Sequence, residues 1–444
     1  MSLASGIFAI ILPWIVDAET SWNLNENALG SLMGVSAILF AVAGLFSAYY
    51  VDKMHKKSVI IIGSIFTGIN CILVGYSWSY EIFVLAIISI GIGNGIIGPA
   101  IFTFIADITP AENRSTNYGL IAFAGLFGVI IGFIIFLGFI LVGEWRTPYI
   151  ITGGITILLT SLLLTVKLPK TGGKESALKQ VLEEKDVEYD YRINFKGLKN
   201  VFRRKSNQIL VLNFSDAFPK GVYLFASLWL TVGHGVSVEI AVLPMLLLSV
   251  AIYTSPLFWG KIADILYKKT QNAVIRIKLG IVLMLAAKPL FVMAIIIPWD
   301  ASGITSLGVL FTDPSFLMFF VLLTTVFFIA SGTGPIWSSV VTEINLPEHR
   351  ATSSQIARFI DQLGVALGAI IAGYLIVLYA PNGYDVAFLL SAFVGLINVG
   401  TWILVLRYFK DDKKFVDNIL LERAEELKKR SKIKNDKGDD LIEY

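Results

Sequence analysis

Long apolar runs separated by short polar stretches set the character of this chain. A membrane crossing needs about 20 apolar residues to cover a hydrocarbon core of about 30 Å. That length picks out twelve runs, at 1–17, 28–50, 58–77, 82–106, 115–142, 148–167, 207–232, 240–262, 273–297, 315–342, 352–380 and 385–408. They are numbered here as spans one to twelve. Span one is short and starts at Met1 without a polar flank. Either it is truncated at that end or the natural start lies upstream, and the second reading is preferred.

The chain also says the same thing twice. Gly98-Pro99, Asp107, Arg114, Gly128 and Gly132 recur as Gly334-Pro335, Glu343, Arg350, Gly364 and Gly368, each 236 positions later. A duplicated apolar chain predicts two membrane bundles related by pseudo-symmetry, with a solute path between them. The second copy is longer, and the extra residues are placed largely in 298–314.

Charge gives the orientation. The loop after span two carries Lys53, Lys56 and Lys57, and the loop after span eight carries Lys268, Lys269, Arg276 and Lys278. Stretch 167–205 ends in Arg203-Arg204-Lys205. The alternate loops hold almost no lysine or arginine; Arg146 stands out. The positive-inside rule then places both termini in the cytoplasm of a plasma-membrane protein. The expected domains are an N-terminal bundle (1–167), a linker (168–206), a C-terminal bundle (207–408) and a cytoplasmic tail (409–444). Phe195, Leu198 and Phe202 recur at helical spacing in the linker, as do Phe415, Ile419, Leu420 and Leu427 in the tail. Both read as amphipathic helices resting on the inner leaflet.

Composition narrows the class. With 55% hydrophobic residues and a mean hydropathy of +0.73, a soluble globular fold is excluded. Three histidines and the single Cys71 suggest no metal site, cofactor or disulfide framework. No removable signal peptide is expected. A Ser-His-Asp set and a phosphate-binding glycine loop are both missing from the sequence, which argues against an enzyme or an ATP-driven pump. A membrane sensor that moves nothing is the other class considered; it would be expected to carry a large signalling domain.

After span two, Ala48, Asp52, Lys53, His55, Lys56 and Lys57 follow the pattern Gly-x-x-x-Asp-Arg-x-Gly-Arg-Arg/Lys, with Ala48 and His55 in place of the glycines. Gly260, Asp264, Lys268 and Lys269 repeat it after span eight, and Trp145-Arg146 opens span six. In these motifs the chain resembles the major facilitator superfamily across 1–408. The resemblance implies an all-α membrane fold of two six-helix bundles, working as a monomer. In the local stretch Gly91-Ile92-Gly93-Asn94 to Ala106-Asp107 it is similar to Spinster-like lipid transporters, with Asn94 replacing a glutamate. Span five carries the glycine series of drug/proton antiporters without an internal Gly-Pro, and the sugar-porter signature after span six is missing.

The loop motif has a physical use. A carboxylate is stabilised at the positive end of a helix by roughly 0.3–1 kcal/mol. Asp52 is expected near the start of span eleven, and Asp264 near Ser115-Thr116 at the start of span five. With Asp107, Arg114, Glu343, Arg350, Lys56, Lys57, Lys268 and Lys269 they form an expected cytoplasmic latch. Pro99, Pro335 and Pro219 are expected to bend spans four, ten and seven.

Ionisable groups inside hydrocarbon cost at least about 2.5–3.5 kcal/mol each, so each calls for a reason. Span seven places Asp216 and Lys220 four residues apart on one face. Span eleven carries Arg358, Asp361 and Gln362, span four Asn94, and span nine Lys288. Family resemblance puts the span-seven and span-eleven charges beside the path and Lys288 on the outer layer. Asp216 is expected to exchange a proton while Lys220 holds an anionic substrate group; a structural ion pair is the bland alternative. The resulting expectation is a secondary active transporter of a small organic solute, proton-coupled. A lysolipid or sphingolipid transporter and an uncoupled uniporter are the alternatives. Membrane lipids are the expected surroundings, and nucleic acid is not an expected partner.

Overall fold

The computed structural model describes residues 22, 26–51, 56–140, 144–165, 202–223, 225–226, 229–236, 238–299, 301, 304 and 306–439. Span one, Asp52 to His55 and most of the linker, with Phe195 and Leu198, lie outside them. The described residues form helices and turns, with no strand among them. Nine of their helices are long and apolar enough to cross a membrane.

Spans two to six run at Glu26–Val51, Lys56–Gly75, Tyr80–Ile108, Arg114–Ile140 and Arg146–Leu162. Spans eight and nine are Val238–Thr270 and Val274–Ile296, and span eleven is Arg350–Leu378. Polar residues mark their starts. Glu144 accepts the N–H groups of Arg146 at 3.0 Å and Thr147 at 3.3 Å, capping span six. Asp313 accepts the Phe316 N–H at 2.7 Å ahead of Pro314, opening span ten. A short helix, Leu307–Thr312, occupies part of the longer loop between spans nine and ten.

Three spans depart from the expected form. Span seven, expected as one helix over 207–232, is a series of short pieces: Lys205–Val211, Phe214–Asp216, Phe218–Tyr223 and Trp229–Gly233. Pro219 removes a backbone donor, and the Asn213 side chain accepts the Ser215 N–H at 3.2 Å, starting a new turn where the helix would continue.

Span ten is also divided, into Pro314–Ala330 and Thr333–Glu343. The interruption at Ser331-Gly332 lies just ahead of Pro335. It leaves the Phe328 carbonyl without its usual partner, because the Gly332 N–H turns to Ile329 O at 3.3 Å. Span eight repairs this: the Ser255 hydroxyl and the Trp259 indole N–H, the latter at 3.1 Å, both donate to Phe328 O. Irregular backbone at membrane depth persists only where such partners exist. Span four, by contrast, continues as one helix through Pro99, so the two Gly-Pro pairs differ in conformation.

Span twelve continues without a break into the tail, as Gly383–Asp439. At 1.5 Å per residue this helix is roughly 85 Å long. The expected leaflet-resting stripe is instead packed on protein: Val416, Leu420, Ala424 and Leu427 are buried, while Phe415 is exposed. The Ser206 N–H donates to Asp412 at 2.7 Å, and Arg423 pairs with Glu348 at 2.7 Å. The tail therefore covers the start of span seven and the turn before span eleven.

Candidate functional site

Two layers of polar residues lie between the bundles. The first sits at the lysine- and arginine-rich face. Asp264, near the end of span eight, accepts the N–H groups of Ser115 at 3.3 Å and Thr116 at 2.7 Å. These are the first free donors of span five, which is where a carboxylate is best held. Ser115 and Ser339 share a hydrogen bond of 2.8 Å, and Tyr118 and Thr342 one of 2.9 Å. Span five thus meets spans eight and ten, and this face is closed.

Two ion pairs of this layer join each acid to a neighbouring helix of its own bundle. Asp107 takes Lys56 as its partner, and Glu343 takes Arg276. Arg276 also reaches Asp264 at 2.7 Å and lies over the Tyr267 ring at 4.2 Å. Each acid at the end of span four or ten therefore meets a base in the first turn of span three or nine, so the duplication extends to the pairing. Arg276 is fully buried; its sequence signal, a lone arginine beside a basic loop, reads only as a topology charge. Lys57 caps the end of span six through Leu164 O at 2.8 Å. Arg350 donates to Thr342 O at 3.2 Å, and Arg114 is buried near Tyr118. Lys268 and Lys269 are exposed. Asp52 lies outside the described residues.

The second layer is a cavity of about 500 Å³, within the usual size for small-molecule sites. Asp216, Lys220, Arg358, Asp361 and Gln362 all line it, so spans seven and eleven bring five of the six candidate residues together. Asn94 is buried but does not line it. Close helix contact creates the shared wall: a β-carbon on Gly368 would meet Phe218 O at 2.1 Å, and only a residue without one lets span eleven approach the broken span seven so closely. Asp361 stands eleven positions into span eleven, roughly 16 Å from its start.

The two carboxylates are held very differently. Asp216 Oδ2 accepts from Lys220 Nζ at 2.7 Å, and its Oδ1 accepts from Asn398 Nδ2 at 2.8 Å. Asn213 steadies Asn398 by donating to its Oδ1 at 2.7 Å and to Thr401 at 3.0 Å. Asp361 has one long contact, 3.9 Å to Lys220. The Lys220 side chain remains 52% accessible because it faces the cavity. The Arg358 guanidinium lies against span four, where a β-carbon on Gly98 would stand 3.3 Å from Nη1. Gly98 thus leaves room for a charge from the opposite bundle. Lys288 extends over Gly395 of span twelve and acts electrostatically on Asp216, which joins it to the cluster from behind. Asn213 and Asn398 escaped the sequence reading; each is a carboxamide in an otherwise apolar run, and that was their available signal.

Phe102, Tyr118, Trp337 and Trp402 supply much of the remaining wall. Phe102 stacks on Tyr118 at 5.2 Å and approaches Trp337 at 6.4 Å.

Among the described residues, apolar helices in two pseudo-symmetric bundles, closed at one face around a charged central cavity, define a multi-pass membrane protein of the facilitator fold. The family model of the Major Facilitator Superfamily matches residues 1–311, and the chain belongs to that superfamily. Among curated proteins it is 28% identical over 123 residues to multidrug resistance protein 2 of Bacillus subtilis, covering 28% of this chain and 31% of that protein. It is 27% identical over 149 residues to the quinolone resistance protein NorA of Staphylococcus aureus, covering 34% and 38%. Those matches span less than half of each relative. Among solved structures, the fucose:proton symporter FucP of E. coli superimposes with a TM-score of 0.67 at 16% identity, covering 92% of this chain and 95% of that one. The human organic anion transporter MFSD10 gives 0.63 at 17%, covering 90% and 96%. At these identities the likeness is one of fold.

Proposed function

We propose that the protein is a secondary active transporter that moves a small organic solute by alternating access, with proton coupling through Asp361. Superfamily membership supports the transport class. The asymmetry of the carboxylates carries the coupling: both Asp216 oxygens have short donors, whereas Asp361 has only a 3.9 Å contact. A carboxylate without close donors inside a membrane is the one that gains most from a proton. The groups facing Asp361 are Lys220, Asp216 and Arg358; those facing Asp216 are Lys220, Lys288 and Asn398. In this reading Asp216 is the fixed counter-ion of Lys220 and Asp361 is the proton carrier, the reverse of the assignment expected from sequence. The positive-inside rule makes the basic face cytoplasmic, so the closed latch corresponds to an outward-facing state.

The test uses proteoliposomes on a solid-supported membrane, exposed to small carboxylates, amines and sugars across a pH jump. Wild type should give currents that depend on the proton gradient, and Asp361→Asn should lose that dependence. Unchanged pH dependence in Asp361→Asn would sink the assignment. Solute flux without any proton dependence in wild type would establish uncoupled uniport instead.

A further inference from the structure

We infer that the solute is an organic anion with an apolar, ring-sized body, and that it enters the cavity together with the proton. The inference rests on the cavity being the transport site and deepens that reading by naming the substrate class and the sense of coupling.

Charge count is the first argument. Three cations serve the site: Lys220 and Arg358 on the wall, and Lys288 behind Asp216. Two carboxylates, Asp216 and Asp361, oppose them. With all five ionised the described cluster carries one excess positive charge. Arg358 has no hydrogen-bond or ion-pair partner within 4 Å among the described residues. Its guanidinium is a planar fork suited to a carboxylate or phosphate oxygen pair. An uncompensated cation in a low-dielectric site is costly, and an anionic ligand removes that cost. An organic cation could approach only Asp361, since Lys220 occupies Asp216, and it would lie beside both Lys220 and Arg358.

The rest of the wall settles the body. Phe102, Trp337 and Trp402 face the same space as the charged cluster. These rings suit an aromatic or other flat apolar group, while Ser331, Thr333 and Ser338 on the same wall leave room for a few polar atoms on it.

Protonation sets the sense of coupling. A proton on an Asp361 oxygen raises the excess charge from one to two and frees Lys220 from its weaker contact. Anion affinity therefore rises as Asp361 takes up its proton, and proton and anion are carried in the same direction. A cationic solute would show the opposite linkage, with the proton expelling it.

Three flat probes of one shape decide the matter: 2-naphthoate, 2-naphthamide and 2-naphthylmethylammonium. Each is titrated onto the full-length protein in detergent at about pH 8 and about pH 6, with binding read by calorimetry and thermal shift. Only the carboxylate should bind. Its dissociation constant should fall with pH by up to about tenfold per unit, the limit for one linked proton. Asp361→Asn should hold the tight value at both pH values. Arg358→Gln should weaken binding at least about tenfold, and Arg358→Lys should restore part of it, which a folding defect would not. Preference for the ammonium probe, weaker carboxylate binding at low pH, or no binding of any probe overturns the inference. Proton-driven currents with an amine would defeat it while leaving the transport reading intact. Binding of the carboxylate with this pH signature but no uptake would defeat the transport reading alone.

Discussion

Asp264 accepts the backbone N–H of Thr116 at 2.7 Å, which fastens span eight of one bundle to the first turn of span five in the other. The same carboxylate is held by Arg276, and Arg276 by Glu343, so one buried arginine aligns the acid for the cross-bundle contact. A hydrogen bond to a charged group contributes about 1.5–3 kcal/mol, and this one exists only while the face is closed. Asp264→Asn should therefore shift the equilibrium toward opening at the basic face by roughly tenfold or more. The measurement is labelling of Ser338→Cys, on the cavity wall, by a membrane-impermeant maleimide from that face, in a Cys71→Ala background. Labelling no faster than in the parent would show that the carboxylate does not hold the face shut.

Closure also needs the two helices to touch along their backbones. A β-carbon on Gly119 of span five would stand 2.2 Å from Pro256 O of span eight, and one on Gly260 would stand 2.4 Å from Ser115 O. Real side chains do not approach backbone so closely, and neither helix can yield without separating. Gly119→Val should leave each bundle folded and exclude the closed arrangement. Spin labels placed across the basic face should report a longer distance in this variant, with thermal stability of the purified protein changed by no more than about 1 kcal/mol. An unchanged distance distribution would mean that the helices slide to relieve the contact and that the glycine does not control closure.

How far the sequence carries depends on what each residue's neighbours are. The ends of spans three, four, six, eight, nine and eleven lie within a few residues of the apolar-run boundaries, except where span eight runs on to Thr270. Membrane insertion is a local, length-dependent requirement, and hydropathy reads it directly. The motif logic around Asp264 was legible for a similar reason: a carboxylate just beyond an apolar run, in a duplicated chain, has a helix start in the opposite bundle as its natural partner. Arg276 was not, because a charge count cannot separate an arginine that fixes topology from one buried between two acids. Span seven misled because hydropathy records burial and not the continuity of backbone hydrogen bonds; Asn213 and Pro219 break it without making it polar. In the tail, Phe415, Ile419, Leu420 and Leu427 were visible as an amphipathic pattern, which fits a leaflet or a protein surface equally well. The buried stripe shares only Leu420 and Leu427 with it and adds Val416 and Ala424.

Span ten offers a separate check on how a broken helix survives in hydrocarbon. Its Phe328 carbonyl has two donors from span eight, the Ser255 hydroxyl and the Trp259 indole N–H. Removing one donor leaves the other in place, so Ser255→Ala and Trp259→Phe should each have a small hydrogen-bonding effect. Together they strand a buried carbonyl, which costs about 1–3 kcal/mol. The double variant should therefore lose more stability than the sum of the singles, by about 0.5–3 kcal/mol as for residues sharing one partner. Thermal unfolding of the four proteins in one detergent completes the cycle. Trp259 also packs against Gly332, so the Phe replacement has a packing cost of its own, and the cycle cancels it. Strict additivity would show that the carbonyl finds a third donor once both are gone, and that the division of span ten does not depend on span eight.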